Sequence, residues 1–202
     1  MARVRLAKIV RTLPRRAHEL SRATVEQSQR WRLIEAMIEV AARIGYADAS
    51  VATVIERAGV SRKTFYEHFT DKEDCFLAGY EVVSDRLIAD IVAASAGHKS
   101  DAARRTAQVT KFIATLAAEP AGARVFMVDV LGAGPRALKL REQVNRRFAD
   151  ALFGDAPVDE IRRTAVVGGV NNVVAGALLA GRGKDLLELA PSLSDFVRSA
   201  LR

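Results

Sequence analysis

The chain has 202 residues, enough for one or two domains with a sizeable core. It contains no run of about 18 apolar residues, which excludes a membrane-spanning helix, and its single cysteine excludes an internal disulfide framework and is typical of the reducing cytoplasm. The formal net charge is +7, and residues 1–70 hold 13 Lys and Arg against 7 Asp and Glu, whereas residues 71–202 hold 18 against 17. This distribution indicates that the N-terminal part binds a polyanion such as nucleic acid.

Residues 1–20 are predicted to form a flexible basic arm. No apolar stretch of about 7 residues or more follows, as a secretory signal would require. The arm is either a solvated tail or a segment that lies on the DNA backbone or enters the minor groove, and it can become ordered on binding. In the second case its candidate DNA contacts are Arg15 and Arg16.

A first long helix is predicted to begin at a cap on Ser21 and to run to about Arg43, where Gly45 ends it. Its apolar residues recur at the spacing of one helix face. The predicted buried stripe consists of Ile34, Met37, Ile38 and Ala41.

A helix-turn-helix is predicted over residues 50–72. Gly59 ends the first helix of the pair because glycine adopts the left-handed conformation without steric cost. Ser61 then caps the next helix, since its hydroxyl accepts a free N–H of the first turn. The apolar stripe of the first helix follows the spacing i, i+3, i+4 and i+7, at Val51, Val54, Ile55 and Ala58.

The second helix of the pair has an apolar and a polar side. Phe65 and Phe69, four residues apart, anchor it to the core. At about 100° per residue, Lys63 and Glu67 lie on the opposite face. Glu67 either accepts a hydrogen bond from a cytosine amino group or pairs with Lys63 and stays off the DNA. The polar side, with Thr64, Tyr66 and His68 flanking it, is typical of a recognition helix that enters the major groove.

The residue order AGVS, then TFYEHF, then DK resembles the DNA-binding domain of the TetR family of transcriptional regulators. The alternative is a helical hairpin inside an unrelated bundle, which would not require an exposed Lys-Thr-Tyr-His set. The resemblance is strong over residues 25–80, and beyond them it is confined to the helix pattern and the chain length. The residues that carry it are Thr53, Ile55, Ala58, Gly59, Val60, Ser61, Thr64, Phe65, Tyr66, His68, Phe69 and Lys72.

The resemblance implies a helix-turn-helix domain over residues 21–70 and a helical domain for effector binding and dimerisation over residues 71–202. Lys72 matches the lysine by which the family contacts a DNA phosphate. We expect the DNA contacts to come from the arm and from the helix-turn-helix. The expected contact residues of the helix-turn-helix and the start of the next helix are Ser50, Thr53, Ser61, Arg62, Lys63, Thr64, Tyr66, Glu67, His68 and Lys72.

The remainder of the chain is predicted to be helical throughout, which makes the fold all-α. Asp71 caps the fourth helix, and Ser100 begins another after a break at residues 96–100. Proline and glycine then delimit helices at about 101–118, 120–131 and 135–153, and Pro191 marks a kink or break in a final helix at 185–201. The apolar residues assigned to the inner faces include Leu131 and Leu138.

Residues 161–180 are apolar nearly all round and contain three glycines. Glycine inside a helix costs up to about 1 kcal/mol, so the close approach of another backbone is expected to offset it. Either the segment is ordinary core, or it forms the four-helix dimer interface that the TetR resemblance implies. Asn171 and Asn172 either pair across the dimer axis or line a pocket. The expected interface residues are Gly168, Gly169, Asn172, Gly176, Leu179, Leu193, Phe196 and Val197.

No pattern for catalysis or metal binding is present, so no enzyme activity and no cofactor are predicted. The histidines His18, His68 and His98 stand in unrelated contexts, without a Cys or acid at metal-ligand spacing. Phosphate-binding loops and nucleophile elbows are also absent from the sequence. Cys75 is interpreted as a small packing residue, with a redox sensor as the alternative.

The sequence therefore predicts a homodimeric regulator, a repressor rather than an activator, that binds a palindromic operator and is released by a small hydrophobic ligand. One alternative is a DNA-binding protein of this fold that needs no ligand. The other is a helical ligand-binding or scaffold protein that has lost DNA binding. The expected ligand cavity is lined by Phe112, Leu116, Phe126, Met127, Val130, Phe148 and Asn172.

Overall fold

A computed structural model describes the backbone of residues 22–200 and the side chains of residues 26–200, and this part of the chain is helical without strands. The predicted arm, with Arg15 and Arg16, lies outside the described residues. Two short 3-10 segments, Asp129–Gly132 and Gly183–Leu189, interrupt the α-helices. The α-helices are α1 (Arg22–Ile44), α2 (Val51–Ala58), α3 (Arg62–His68), α4 (Lys72–Ala94), α5 (Asp101–Ala118), α6 (Pro120–Met127), α7 (Pro135–Phe153), α8 (Glu160–Leu179) and α9 (Ala190–Ser199).

The helices α1 to α3 form an N-terminal head, in which α2 and α3 make the predicted helix-turn-helix. Gly59 adopts a left-handed conformation with φ of 63° and ends α2 as its C-cap. The guanidinium of Arg32 donates to the carbonyls of Ala58 and Gly59, so α1 holds the turn in place. Phe65 and Phe69 are buried against α1, with ring centroids 5.8 Å apart, and fix the angle of α3.

The predicted stripes of the head and the helix ends at Gly45 and Gly59 are confirmed, whereas the predicted cap on Ser21 lies outside the described residues. The stripe of α1 is buried, and α2 buries Val54 and Ala58 while Val51 and Ile55 pack at the edge of the core. Gly45 has φ of 84°, a conformation that side chains rarely adopt, so glycine ends α1 as expected. The head and the body share one core because α1 packs against α4 and also against α6.

Two predicted helices of the body differ from the structure. The helix expected at 120–131 ends at Met127, and a 3-10 turn follows in which Leu131 is exposed. The helix expected at 185–201 begins as a 3-10 segment, and Pro191 stands in the first turn of α9. Proline lacks an N–H and suits the beginning of a helix, so it starts α9 rather than kinking it.

On α7 the buried stripe passes through Ala137, not Leu138. Ala137, Val144 and Phe148 are buried, whereas Leu138 is exposed. A shift of one residue rotates a side chain by about 100°, and the larger of two adjacent apolar residues does not always take the inner position.

Candidate functional site

Helix α3 presents a polar face to solvent. Phe65 is fully buried while Tyr66, the next residue, is 51% exposed. Arg62, Lys63 and Glu67 are exposed on the same outer side. With seven residues the helix is about 10 Å long and fits a major groove about 12 Å wide. The face expected to read DNA is therefore free of contacts with the core.

Glu67 pairs with Lys63 across one helical turn. Lys63 Nζ lies 3.9 Å from Glu67 Oε1, and both side chains are largely exposed. This geometry agrees with the interpretation in which Glu67 pairs with Lys63. At this length and exposure the pair adds little stability, so either side chain is free to reorient toward DNA.

The hydroxyl groups expected at the DNA also begin the two helices. Ser61 Oγ accepts from the N–H of Thr64 at 3.0 Å and lies 2.9 Å from Thr64 Oγ1. Ser50 and Thr53 form a reciprocal capping box at the start of α2. All four polar groups lie near the surface at the N-termini of α2 and α3, where backbone N–H groups and the helix dipole favour a phosphate.

Lys72 and His68 are less exposed than the sequence suggested. Lys72 Nζ donates to the carbonyl oxygens of Tyr46 at 3.1 Å and Ala47 at 3.3 Å, and it lies 4.3 Å from the Tyr46 ring centroid. It therefore ties the turn after α1 to the beginning of α4, and a DNA contact by Lys72 stays a prediction. His68 is half-buried, and its Nε2 is buried without a hydrogen-bond partner among the described residues. The structure does not favour His68 as a DNA contact.

An apolar cavity of about 30 Å³ lies inside the body, between α4, α5, α7, α8 and α9. Phe112 and Phe148, both predicted as lining residues, meet there edge to face with centroids 5.6 Å apart. The space is about the volume of one water molecule, so a larger ligand has to separate the helices. The lining consists of Ile91, Gln108, Val109, Phe112, Phe148, Leu152, Val167, Val170, Asn171 and Val197.

The other five predicted cavity residues do not line this space. Leu116, Met127 and Val130 are buried elsewhere in the core. Phe126 instead stacks on Tyr80, with centroids 4.6 Å apart, beside a separate cavity of about 20 Å³ between α1, α4 and α6.

Asn172 is wrong as a cavity residue because it is exposed on the opposite side of α8. Its neighbour Asn171 lines the cavity and donates to Asn145 Oδ1 at 2.9 Å. The rotation of about 100° between adjacent residues separates these two roles.

A polar cleft of about 490 Å³ adjoins the cavity. It lies between the start of α5 and the end of α7, and Gln108 and Leu152 line both spaces. Arg105 is only 4% exposed and lines the cleft one turn before Gln108. Sequence analysis missed these residues, although Arg105 and Gln108 stand on the same helical face as Val109 and Phe112.

The outer face of α8 is an exposed stripe of small and apolar residues. Ile161 is 83% exposed and Leu179 61%, and between them Gly168, Asn172 and Gly176 are also exposed. Apart from the adjacent residues and the backbone of α8 itself, no heavy atom of the described chain lies within 4 Å of a Cβ built on Gly168 or Gly176. The opposite face of α8 is buried against the core, so the helix has two apolar faces, one buried and one exposed.

Three residues expected at the dimer interface do not lie on this stripe. Leu193 and Val197 of α9 are buried in the core of the same chain and offer no surface to a partner, which corrects the expectation for both. Gly169 is half-buried, and a Cβ there would lie 3.1 Å from Cε1 of Phe196. Glycine at 169 therefore makes room for Phe196 of its own chain, while the outer part of that ring remains exposed.

Polar contacts of residues 129–136 reach the head and the beginning of α4. Asp129 Oδ2 accepts from the backbone N–H of Tyr46 at 3.1 Å, at the turn after α1. Arg136, at the start of α7, pairs with Asp71 at 3.0 Å and with Glu73 at 3.1 Å. Asp71 is the N-cap of α4 and follows α3 closely in the chain. Residues 129–136 therefore contact the head at the turn after α1 and the beginning of α4, the helix that connects the head to the body.

Residues 33–79 match the family model described as bacterial regulatory proteins, tetR family. These residues form a TetR-family domain. The remainder of the described chain completes the TetR fold, with a helical domain after the helix-turn-helix. Comparison with curated proteins finds no significant match.

Solved structures share the TetR fold over nearly the whole chain. The fatty acid degradation regulator FadR from Bacillus halodurans aligns with a TM-score of 0.73 at 19% identity, over 89% of this chain and 96% of that one. FadR from Bacillus subtilis in complex with stearoyl-CoA aligns with a TM-score of 0.73 at 18% identity, over 84% and 97%. A transcriptional regulator from Rhodococcus sp. Rha1 aligns with a TM-score of 0.63 at 25% identity, over 85% and 95%.

Among the residues that the structure describes, no helix is long and apolar enough to cross a membrane and no group of potential ligands could hold a metal ion. Cys75 is fully buried, and its Sγ lies 3.7 Å from the carbonyl oxygen of Leu33. Burial raises the pKa of this thiol to about 12, which disfavours the reactive thiolate. Cys75 therefore serves as a packing residue in the first turn of α4.

Proposed function

We propose that this protein is a sequence-specific DNA-binding transcriptional regulator that acts as a homodimer. The observation that carries the proposal is the exposed polar face of α3, which two buried phenylalanines hold in a fixed orientation on a TetR-type head. A recognition helix needs these two properties, an anchored side and a free side with donors and acceptors.

The exposed stripe on α8 supports dimerisation. A contiguous apolar face on a monomer indicates an interface, and the glycines at 168 and 176 permit close approach of a second helix. Two copies that pair through α8, with Phe196 of α9 at the edge, bury this stripe around a two-fold axis. The dimer then offers two recognition helices to a palindromic site.

We further propose that the protein is a repressor and that a small ligand in the body releases it from DNA. A ligand that enters the cavity between α4, α5, α7 and α8 has to separate these helices. The ligand stabilises the conformation of the dimer for which it has the higher affinity, and with it one spacing of the two heads. The contact of Asp129 with Tyr46 and the ion pairs of Arg136 at the beginning of α4 provide a route from body to head. The complex of Bacillus subtilis FadR with stearoyl-CoA supports a hydrophobic ligand for this chain too.

The small volume of the cavity favours a second candidate, a DNA-binding protein of the same fold without an effector. Under this alternative the apolar residues around Phe112 are simply core. The two candidates differ in whether any small molecule that binds the body also changes DNA affinity.

The test of DNA binding is the selection of sequences from a pool of random duplex DNA with the full-length protein. We expect a palindrome whose half-sites lie about one helical turn, roughly 34–36 Å, apart or a multiple of it. Enrichment of no sequence, together with affinity that is equal for all duplexes, would contradict the proposal. The variant Lys63→Ala serves as a control that should reduce the enrichment.

A further inference from the structure

We propose that the effector is an acyl chain with an anionic head group and a hydroxyl close to it, with the tail in the apolar cavity and the head against Arg105 in the polar cleft. The inference rests on the proposed function, because it names the chemical class of the ligand in the same domain. Its basis is the continuity of the two spaces and the state of two buried polar side chains between them.

The cavity and the cleft are two compartments of one path. Gln108 and Leu152 line both, Gln108 from α5 and Leu152 from α7. Leu152 is only half-buried, so its side chain can move without opening the whole core. Beyond it the inner space is almost entirely apolar, whereas the outer space has arginine, aspartate and backbone polar groups. One apolar and one polar compartment in series fit an amphipathic molecule.

Arg105 is a buried cation whose guanidinium is only partly satisfied by hydrogen bonds and ion pairs among the described residues. Its Nη1 donates to the carbonyl of Asp101 at 3.2 Å and its Nη2 to that of Phe153 at 3.4 Å. The carboxylate of Asp101 is 3.7 Å away and also pairs with Arg104. Nε is buried without a partner among the described residues. A guanidinium binds a carboxylate or phosphate most strongly through two parallel hydrogen bonds, so an anionic head would complete this site.

Gln108 supplies the complementary group. Its Nε2 donates to the carbonyl of Ala151 at 2.8 Å, which fixes the amide, and its Oε1 is then buried without a donor among the described residues. Arg105 and Gln108 are three residues apart on α5 and therefore neighbours on the helix surface. A ligand hydroxyl next to the anionic head would donate to Gln108 Oε1 while the head accepts from Arg105.

The overall charge of the cleft does not explain anion binding. Arg104 and Arg105 face Asp101 and Asp155 in the lining, so the two signs balance. Selectivity for an acid must then come from Arg105 itself, at short range. We therefore expect the affinity to depend on this one side chain more than on ionic strength.

The tail compartment explains how the ligand acts. Its volume of about 30 Å³ is too small for an acyl chain unless α5 moves away from α7 and α8. Helix α4 contributes Ile91 to the same lining and begins at Lys72, next to the head. Entry of the tail is thus linked to the position of α4 and, through it, to the recognition helix.

The experiment is calorimetric titration of the full-length protein with four probes: 3-hydroxydecanoate, decanoate, 1,3-decanediol and the coenzyme A thioester of 3-hydroxydecanoate. We expect 3-hydroxydecanoate to bind more tightly than decanoate. In Arg105→Gln the affinity for the acid should fall by roughly tenfold or more, while that for the diol stays the same. The control Lys111→Gln removes a positive charge from an exposed position of α5 outside the cleft and should change the acid affinity by less than about threefold.

The thioester has a neutral carbonyl beside the hydroxyl, and its phosphates lie far from it. Tighter binding of the free acid therefore supports an anionic head at Arg105, and tighter binding of the thioester would count against it. Equal loss of acid and diol in Arg105→Gln would overturn it, and so would the absence of binding of the acid to the wild type at millimolar concentration. If Arg105→Gln does not fold, Arg105→Lys is measured instead; it should retain part of the acid affinity, and unchanged affinity would count against bidentate binding by Arg105.

DNA binding of the same samples without ligand separates the two proposals. Intact operator binding by a protein that takes up none of the probes would overturn the ligand assignment alone. Ligand binding by a protein without specific DNA affinity would overturn the proposed function and leave the ligand site in place.

Discussion

At the residue scale, some side chains on the surface proposed to bind DNA also stabilise the head, whereas others contribute little to the fold. Thr64 contributes its backbone N–H to the cap by Ser61, and this bond does not need the threonine side chain. Within the described part of the chain, the one ionic contact of Lys63 is the long one with Glu67. These two side chains can therefore be altered with little effect on the head.

We expect Thr64→Ala and Lys63→Ala each to weaken binding to the selected operator by about 1–3 kcal/mol, because each removes a group that can contact a base edge. Thermal stability should change little. The measurement is a titration of labelled operator and of unrelated duplex DNA, with the exposed Lys111→Ala as the control. An equal loss on both duplexes would show that neither side chain reads the sequence.

Lys72 and Tyr66 form a contrasting pair at the same scale. Lys72→Ala removes two hydrogen bonds to the turn after α1, so the free energy of unfolding should fall by about 1–3 kcal/mol and DNA binding should weaken for all sequences alike. Tyr66→Phe should weaken DNA binding in the same uniform way without loss of stability, because the ring is half exposed. Chemical denaturation and DNA titration measure the two effects. A change of the preferred operator in Lys72→Ala would contradict its role at a phosphate.

At the scale of the element, α8 shows why adjacent glycines are not equivalent. Gly168 and Gly176 face outward, where no atom of the described chain lies near, and Gly169 faces Phe196. A large side chain at 168 or 176 thus meets only a partner molecule. The same side chain at 169 would displace Phe196 within the chain, so Gly169 does not serve as a selective probe of the interface.

We expect Gly168→Leu and Gly176→Leu to produce folded chains that dimerise weakly and lose operator binding. Monomer stability should be maintained or raised, since a glycine inside a helix costs up to about 1 kcal/mol. Gly169→Leu is the matched variant, and it should lower stability by about 1–3 kcal/mol through overpacking. Sedimentation and thermal unfolding distinguish the two results. A wild-type chain that is monomeric at micromolar concentration would rule out the interface.

At the scale of the whole molecule, the excess charge and the recognition helix belong to the same part of the chain. Six basic residues and no acid lie within residues 1–16: Arg3, Arg5, Lys8, Arg11, Arg15 and Arg16. The body is close to neutral, as expected for a domain that binds a small molecule and a second copy of itself. Long-range attraction to DNA should therefore depend on the N-terminal third.

Deletion of residues 1–16 should leave thermal stability nearly unchanged and reduce the salt dependence of operator binding. Each phosphate contact adds about 0.9 to the slope of log affinity against log salt, so the loss of two contacts per subunit lowers the slope of the dimer by roughly 3.6. Affinity should fall most at low salt. A salt titration of the full and the shortened chain measures this, and parallel lines of equal affinity would show that the arm is only a solvated tail.

The sequence by itself determined the head and most helix boundaries. Each depends on local chemistry: Gly59 and Gly45 require a left-handed conformation, and Ser50, Ser61, Asp71 and Ser100 cap the helices that they precede. The anchors Phe65 and Phe69 follow from helical spacing alone. These signals reside in a few consecutive residues and do not depend on what packs against them.

Only the tertiary structure decided which side of an apolar helix meets which neighbour. Helix α8 is apolar all round, so its periodicity could not separate Asn171 at the cavity from Asn172 at the surface, or Gly169 against Phe196 from the exposed Gly168. The cleft at Arg105 also depends on α5 meeting the end of α7 and the loop that follows it, although α5 and that end of α7 are far apart in the chain. A hydrophobic pattern specifies burial without a direction, and the direction is set by the packing of the other helices.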